Sequence, residues 1–138
     1  MRVSVDFGSG FERGWLRRSR MLGLAIKPLL DANVKVNRLY LATHPTTPKL
    51  YNAGVVYREE DPRQGYEDFA IVPAIISRGW GDCDDLAPWR AAELQNGGEN
   101  AKIRIQWKRT AKGKLFHIVV RRADGSIEDP SRILGMKG

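Results

Sequence analysis

The stretch from Asp82 to Gly97 constrains the fold most, because its helix can begin in only one place. Pro88 lacks an N–H and its ring clashes with the carbonyl four residues back, so a helix tolerates it only in its first turn. The spacing predicts a helix starting near Cys83 or Asp84, with Asp82 as N-cap and Gly97 as the stop. Cys83, Ala87, Ala91 and Leu94 then share one face, and side chains that small let a helix lie close against a sheet.

The sheet is expected in the C-terminal third. Ile103, Ile105 and Trp107 alternate with Arg104, Gln106 and Lys108, as in a strand with one exposed face. From Leu115 to Arg122 both parities are apolar, which marks a central strand, and His117 sits inside it. The turn around Asp124-Gly125 leads the chain back towards Asp129. Helix on antiparallel sheet makes the fold class α+β. The 138 residues leave room for one core, so residues 1–138 are read as a single domain.

Elsewhere the signals are weaker. Val3, Val5 and Phe7 suggest a short strand. An amphipathic helix is expected from Trp15 to Leu30, kinked or ended at Pro28, then a separate short helix stopped at His44-Pro45. VVYREEDPRQG reads as a brief extended piece followed by an acidic turn, and EDFAIVPAIISRG as a broken helix ending at Gly79. No apolar run approaches the roughly 18 residues of a membrane span. The N-terminus lacks the apolar core of a signal peptide, which with a single cysteine fits a reducing cytoplasm.

Charge is unevenly spread. Residues 1–38 carry 8 basic and 3 acidic side chains, residues 39–101 carry 5 and 10, and residues 102–138 carry 10 and 3. Neither an aromatic-interleaved basic motif nor zinc-finger spacing accompanies the basic ends, so nucleic acid is not the expected partner. One cysteine and two distant histidines do not build a metal site, and no cofactor is expected.

A lone cysteine followed by a histidine and an aspartate is a candidate nucleophile with its base and orienting acid: Cys83, His117 and Asp129. A thiol at a helix N-terminus feels the positive end of the dipole, which favours thiolate. Asp82, Asp84 and Asp85 oppose this, so activation should rest on a neighbouring imidazolium. The hairpin register tests the idea. A two-residue loop at Asp124-Gly125 sets Asp129 opposite Val120 and away from His117. A three-residue loop, Ala123-Asp124-Gly125 with a left-handed glycine, sets it opposite Val119 and diagonal to His117. Both registers are open to this chain, and the chemistry requires the second.

GDCDDLAPWRAAEL, FHIVVR and DGSIEDPSRILGM together resemble the transglutaminase-like cysteine peptidase superfamily, a branch of the papain-like fold, and especially its small single-domain bacteriophage versions. HPTTPKLYNAGVVYREE and IVPAIISRGWGDC extend the likeness over roughly residues 38–136. The resemblance implies a papain-like α+β domain with Cys83 as nucleophile, His117 as base and Asp129 orienting the imidazole. The implied activity is acyl transfer from a protein or peptide amide, as a peptidase, amidase or transglutaminase. The alternative is a virion or assembly protein that keeps the fold without turnover, partnered by phage structural proteins. The host cytoplasm, or the virion, is the implied location. The Cys83 N–H is a natural oxyanion donor, and the Trp80 indole N–H is a weaker candidate for the second.

Overall fold

The computed structural model describes residues 2–6, 20–59, 66–110 and 113–137. Its elements are β1 (Arg2–Asp6), α1 (Arg20–Thr43), a 3-10 turn (Leu50–Asn52), β2 (Val56–Tyr57), β3 (Tyr66–Ala70), α2 (Val72–Arg78) and β4 (Trp80–Gly81). They continue with α3 (Cys83–Asn96), β5 (Lys102–Thr110), β6 (Gly113–Arg121), β7 (Ile127–Glu128) and α4 (Pro130–Ile133). The architecture is α+β: an antiparallel sheet ordered β5-β6-β7, with two further two-stranded pairs, β1-β3 antiparallel and β2-β4 parallel.

The helix at Cys83 starts and stops where its caps require. Asp82 and Asp85 form a capping box in which each side chain receives the other's backbone N–H, and Gly97 is the C-cap. Pro88 lies one turn deeper than the first-turn rule allows, and the helix nevertheless runs through it. Ala87, Ala91 and Ala92 on α3 meet Ile26, Leu30 and Val34 on α1 and Ile103, Ile118 and Val120 on the sheet in one buried cluster. A second cluster joins Leu50, Val55, Ala70, Val72, Ile75, Leu86 and Trp89. Burial of the apolar side chains in these two clusters is the main drive for the helix-on-sheet packing, at roughly 25 cal/mol per Å².

Three sequence readings need correction. The helix does not end at Pro28, nor does a second one begin after it, for α1 continues to Thr43, where the expected stop at His44-Pro45 does fall. Pro28 is exposed, while Ile26 and Leu30 beside it are fully buried. Their burial, and the turns that follow, offset the roughly 3 kcal/mol that an interior proline costs. The first half of the expected broken helix at residues 67–79 is instead part of strand β3, paired with β1, and only Val72–Arg78 is helical. Gly79 does end it, at φ 81°. Trp15, Phe7 and the acidic turn at residues 60–65 lie outside the described residues. Among the described residues no helix is long and apolar enough to cross a membrane.

Candidate active site

Cys83 is the first residue of α3 and is half-buried. Its position is set by a close approach immediately upstream. A Cβ on Gly81 would sit 3.0 Å from Leu86 Cδ2 and 3.1 Å from Asp85 Cβ, so only glycine lets β4 press against the first turn of the helix. Asp85, wholly buried, anchors that turn. Its Oδ1 accepts the Ala70 N–H at 2.7 Å, and its Oδ2 accepts the Asp82 N–H at 3.3 Å and pairs with Arg78. Burial pushes the Asp85 carboxyl above the usual range, against the pull of these donors. Asp82, Asp84 and Asp85 offer carboxylate oxygens within 4.8 Å of one another, but Asp85 is spent on Arg78 and two backbone donors.

On the sheet, Val120 pairs with Glu128 and Arg121 with Ile127. The Arg122 N–H donates to Ser126 O at 2.8 Å, and Gly125 N–H to Arg122 O at 2.9 Å, with Gly125 at φ 87°. The loop therefore has three residues and a left-handed glycine, the register that places Asp129 opposite Val119 and diagonal to His117. The two side chains converge: His117 Nε2 lies 2.8 Å from Asp129 Oδ2. An ionised carboxylate can only accept, so Nε2 is the donor of this bond. Asp129 also caps α4, its Oδ1 accepting the Arg132 N–H at 3.3 Å. One carboxylate thus does both jobs, capping with one oxygen and orienting with the other.

His117 and Asp129 are joined directly, whereas Cys83 reaches the same region at the level of packing. Helix α3 lies on β6, and Cys83 borders the apolar cluster to which Phe116 and Ile118, the neighbours of His117, belong. Strand alternation turns the His117 ring to the face of Gln106 and Asp129. The residues of β6 that share the cluster with α3, Ile118 and Val120, have the opposite parity to His117. Trp80 sits in β4, and two guanidiniums lie over its ring, Arg78's at 3.8 Å and Arg58's at 5.3 Å.

Two features were not anticipated from sequence. Glu128 accepts from Arg90 Nε at 2.6 Å, from Arg122 Nη1 at 2.7 Å and from the Tyr51 hydroxyl. It ties the strand before Asp129 to the helix behind Cys83. Burial raises the Glu128 carboxyl, but the hydrogen bonds from Arg90 and Tyr51 outweigh it, and the group rests below the usual range. The other feature is Tyr57, half-buried, whose hydroxyl is pushed up by burial first and then by negative charge on Cys83, Glu59, Asp82 and Asp84. A lone tyrosine in a proline-poor extended piece carries no sequence signal; the hydrophobic pattern alone could not have found it.

Comparison with protein-family models, with curated proteins and with solved structures found no match for this chain.

Proposed function

We propose that this protein is a thiol acyl-transfer enzyme acting on protein or peptide amides, a peptidase or amidase of the transglutaminase-like, papain-related kind encoded by tailed bacteriophages. The observation that carries the reading is the 2.8 Å hydrogen bond between His117 and Asp129, on a strand packed beneath the helix that begins at Cys83. In this mechanism His117 Nδ1 accepts the Cys83 thiol proton, and Sγ attacks the carbonyl carbon. The C=O pair moves to oxygen and returns as the C–N bond breaks. The imidazolium gives its proton to the departing amine, leaving a thioester that water or a second amine resolves. Asp129 holds the Nε2–H tautomer and stabilises the imidazolium, the role the general serine-protease template gives its aspartate.

The test is the rate of Cys83 alkylation by iodoacetamide against pH, in the folded protein and in His117→Ala. Alkylation that persists well below pH 8 in the parent and is lost in the variant supports the ion pair. Identical profiles with an apparent pKa near the ordinary thiol value of about 8.5 would sink the reading, leaving a protein that keeps the arrangement without turnover.

A further inference from the structure

The two-residue strand β2 holds the two halves of the candidate site together. Its Val56 and Arg58 N–H groups donate to Gly79 O at 3.1 Å and Gly81 O at 2.9 Å, on the segment that leads into Cys83. Between them, the Tyr57 N–H donates the other way, to Leu134 O at 2.9 Å, at the end of the helix that Asp129 caps. Tyr57 is paired directly with Gly81, two residues before Cys83. Because partners in a ladder project to the same side, its ring leaves β2 towards the first turn of α3, the direction in which a Gly81 side chain would meet Leu86 and Asp85. Tyr57 packs against the cluster containing Leu86, a residue that a side chain on Gly81 would meet, so its ring lies beside the first turns of the helix that Cys83 begins.

Of the other tyrosines with described side chains, Tyr51 donates its hydroxyl to Glu128 and the Tyr40 ring stacks on His44. Among the described residues no acceptor takes the Tyr57 hydroxyl. Burial first, then the charge of Cys83 and of the nearby carboxylates, keeps that phenol protonated, hence a donor, throughout the range in which a thiolate works. The same charges repel an anion forming on a bound carbonyl. Stabilising such an anion here requires a local hydrogen bond, since the long-range field is unfavourable.

We infer that the Tyr57 hydroxyl, rather than the Trp80 indole, is the second oxyanion donor beside the Cys83 N–H. The inference rests on the acyl-transfer reading above. As Sγ bonds to the carbonyl carbon and the π pair moves to oxygen, the Tyr57 O–H donates a hydrogen bond to that oxygen without giving up its proton. When the C–N bond breaks and the C=O re-forms, the hydrogen bond weakens again. Tyr57 is then a catalytic residue, acting on the reacting oxygen and not on the thiol.

Two reactions of Cys83 separate these roles. Alkylation by iodoacetamide needs a thiolate but forms no oxyanion, whereas acylation by p-nitrophenyl acetate needs both. In Tyr57→Phe, alkylation should keep its rate and pH profile while acylation falls about 100-fold, within the range seen for loss of one oxyanion donor. An unchanged melting curve shows that the variant is folded; if it is not, 3-fluorotyrosine at position 57, which makes the phenol more acidic, must alter acylation selectively. Equal loss in both reactions overturns the proposal in favour of a role in holding the thiol. Unchanged acylation overturns it, as does a loss confined to Trp80→Phe. A parent protein that alkylates at low pH but does not acylate refutes Tyr57's role and leaves the thiolate reading standing, while one that does neither refutes both.

Discussion

The two halves of the candidate site are anchored in different surroundings. The Cys83 half is held in the interior: Asp85 is fully buried and takes two backbone donors besides Arg78. The His117–Asp129 half is held at the rim, where Asp129 and Glu128 keep 18% and 14% of their side-chain surface. An interior anchor cannot be removed without stranding a charge or a backbone N–H away from water. A rim anchor leaves its partners a route to solvent. Perturbing the first half should therefore cost the fold, and perturbing the second should cost reactivity.

The largest effect is expected for Asp85→Ala, which strands the Arg78 guanidinium and the Ala70 N–H together. Breaking a buried pair from one side destabilises by about 3–5 kcal/mol. Urea unfolding of this variant should show a midpoint far below the parent's, and a loss under about 1 kcal/mol would refute an interior anchor at Asp85. Glu128→Gln comes next, since charged hydrogen bonds from Arg90 and Arg122 are weakened but not buried out of reach of water. A cost of about 1.5–3 kcal/mol at neutral pH is expected. Its sign with pH follows from the lowered Glu128 carboxyl. A depressed native value contributes stability that is fully present above the unfolded value of about 4.3 and is lost as pH falls through the native one. The gap between parent and variant should accordingly close in acid, and a gap that widens there refutes the assignment.

Asp129→Asn sharpens the contrast with the smallest effect on stability. Asparagine caps a helix about as well as aspartate, so the change should stay under about 1 kcal/mol. Loss of the charge facing His117 Nε2 should nevertheless slow Cys83 alkylation at pH 6 to 7 by about tenfold, the rate equivalent of about 1.4 kcal/mol. Stopped-flow alkylation alongside thermal melting reads both quantities. A variant that is destabilised and fully reactive would reverse the roles assigned to the two halves.

What could be read along the chain was whatever depends on a few neighbouring residues. The start of α3 at Cys83 follows from Asp82 and its end from Gly97, each acting within a turn of its own position. The hairpin loop follows from Asp124 and Gly125, although the choice between two registers did not. That choice was made in three dimensions, where the three-residue loop lets Glu128 meet Arg90 and Tyr51 while Asp129 meets His117. Helix α1 passes Pro28 because Ile26 and Leu30 are buried against other elements, a gain invisible in the local pattern. Tyr57 was beyond reach for the same reason: β2 is two residues long, and its position beside Cys83 exists only through backbone bonds to Gly79, Gly81 and Leu134. The caps, the turn residues and the small-residue face of α3 were legible along the chain, because those are interactions along one piece of backbone. Tertiary structure decided the register, the long helix and the neighbours of the thiol, because those are contacts between segments whose energies appear only once the chain has closed on itself.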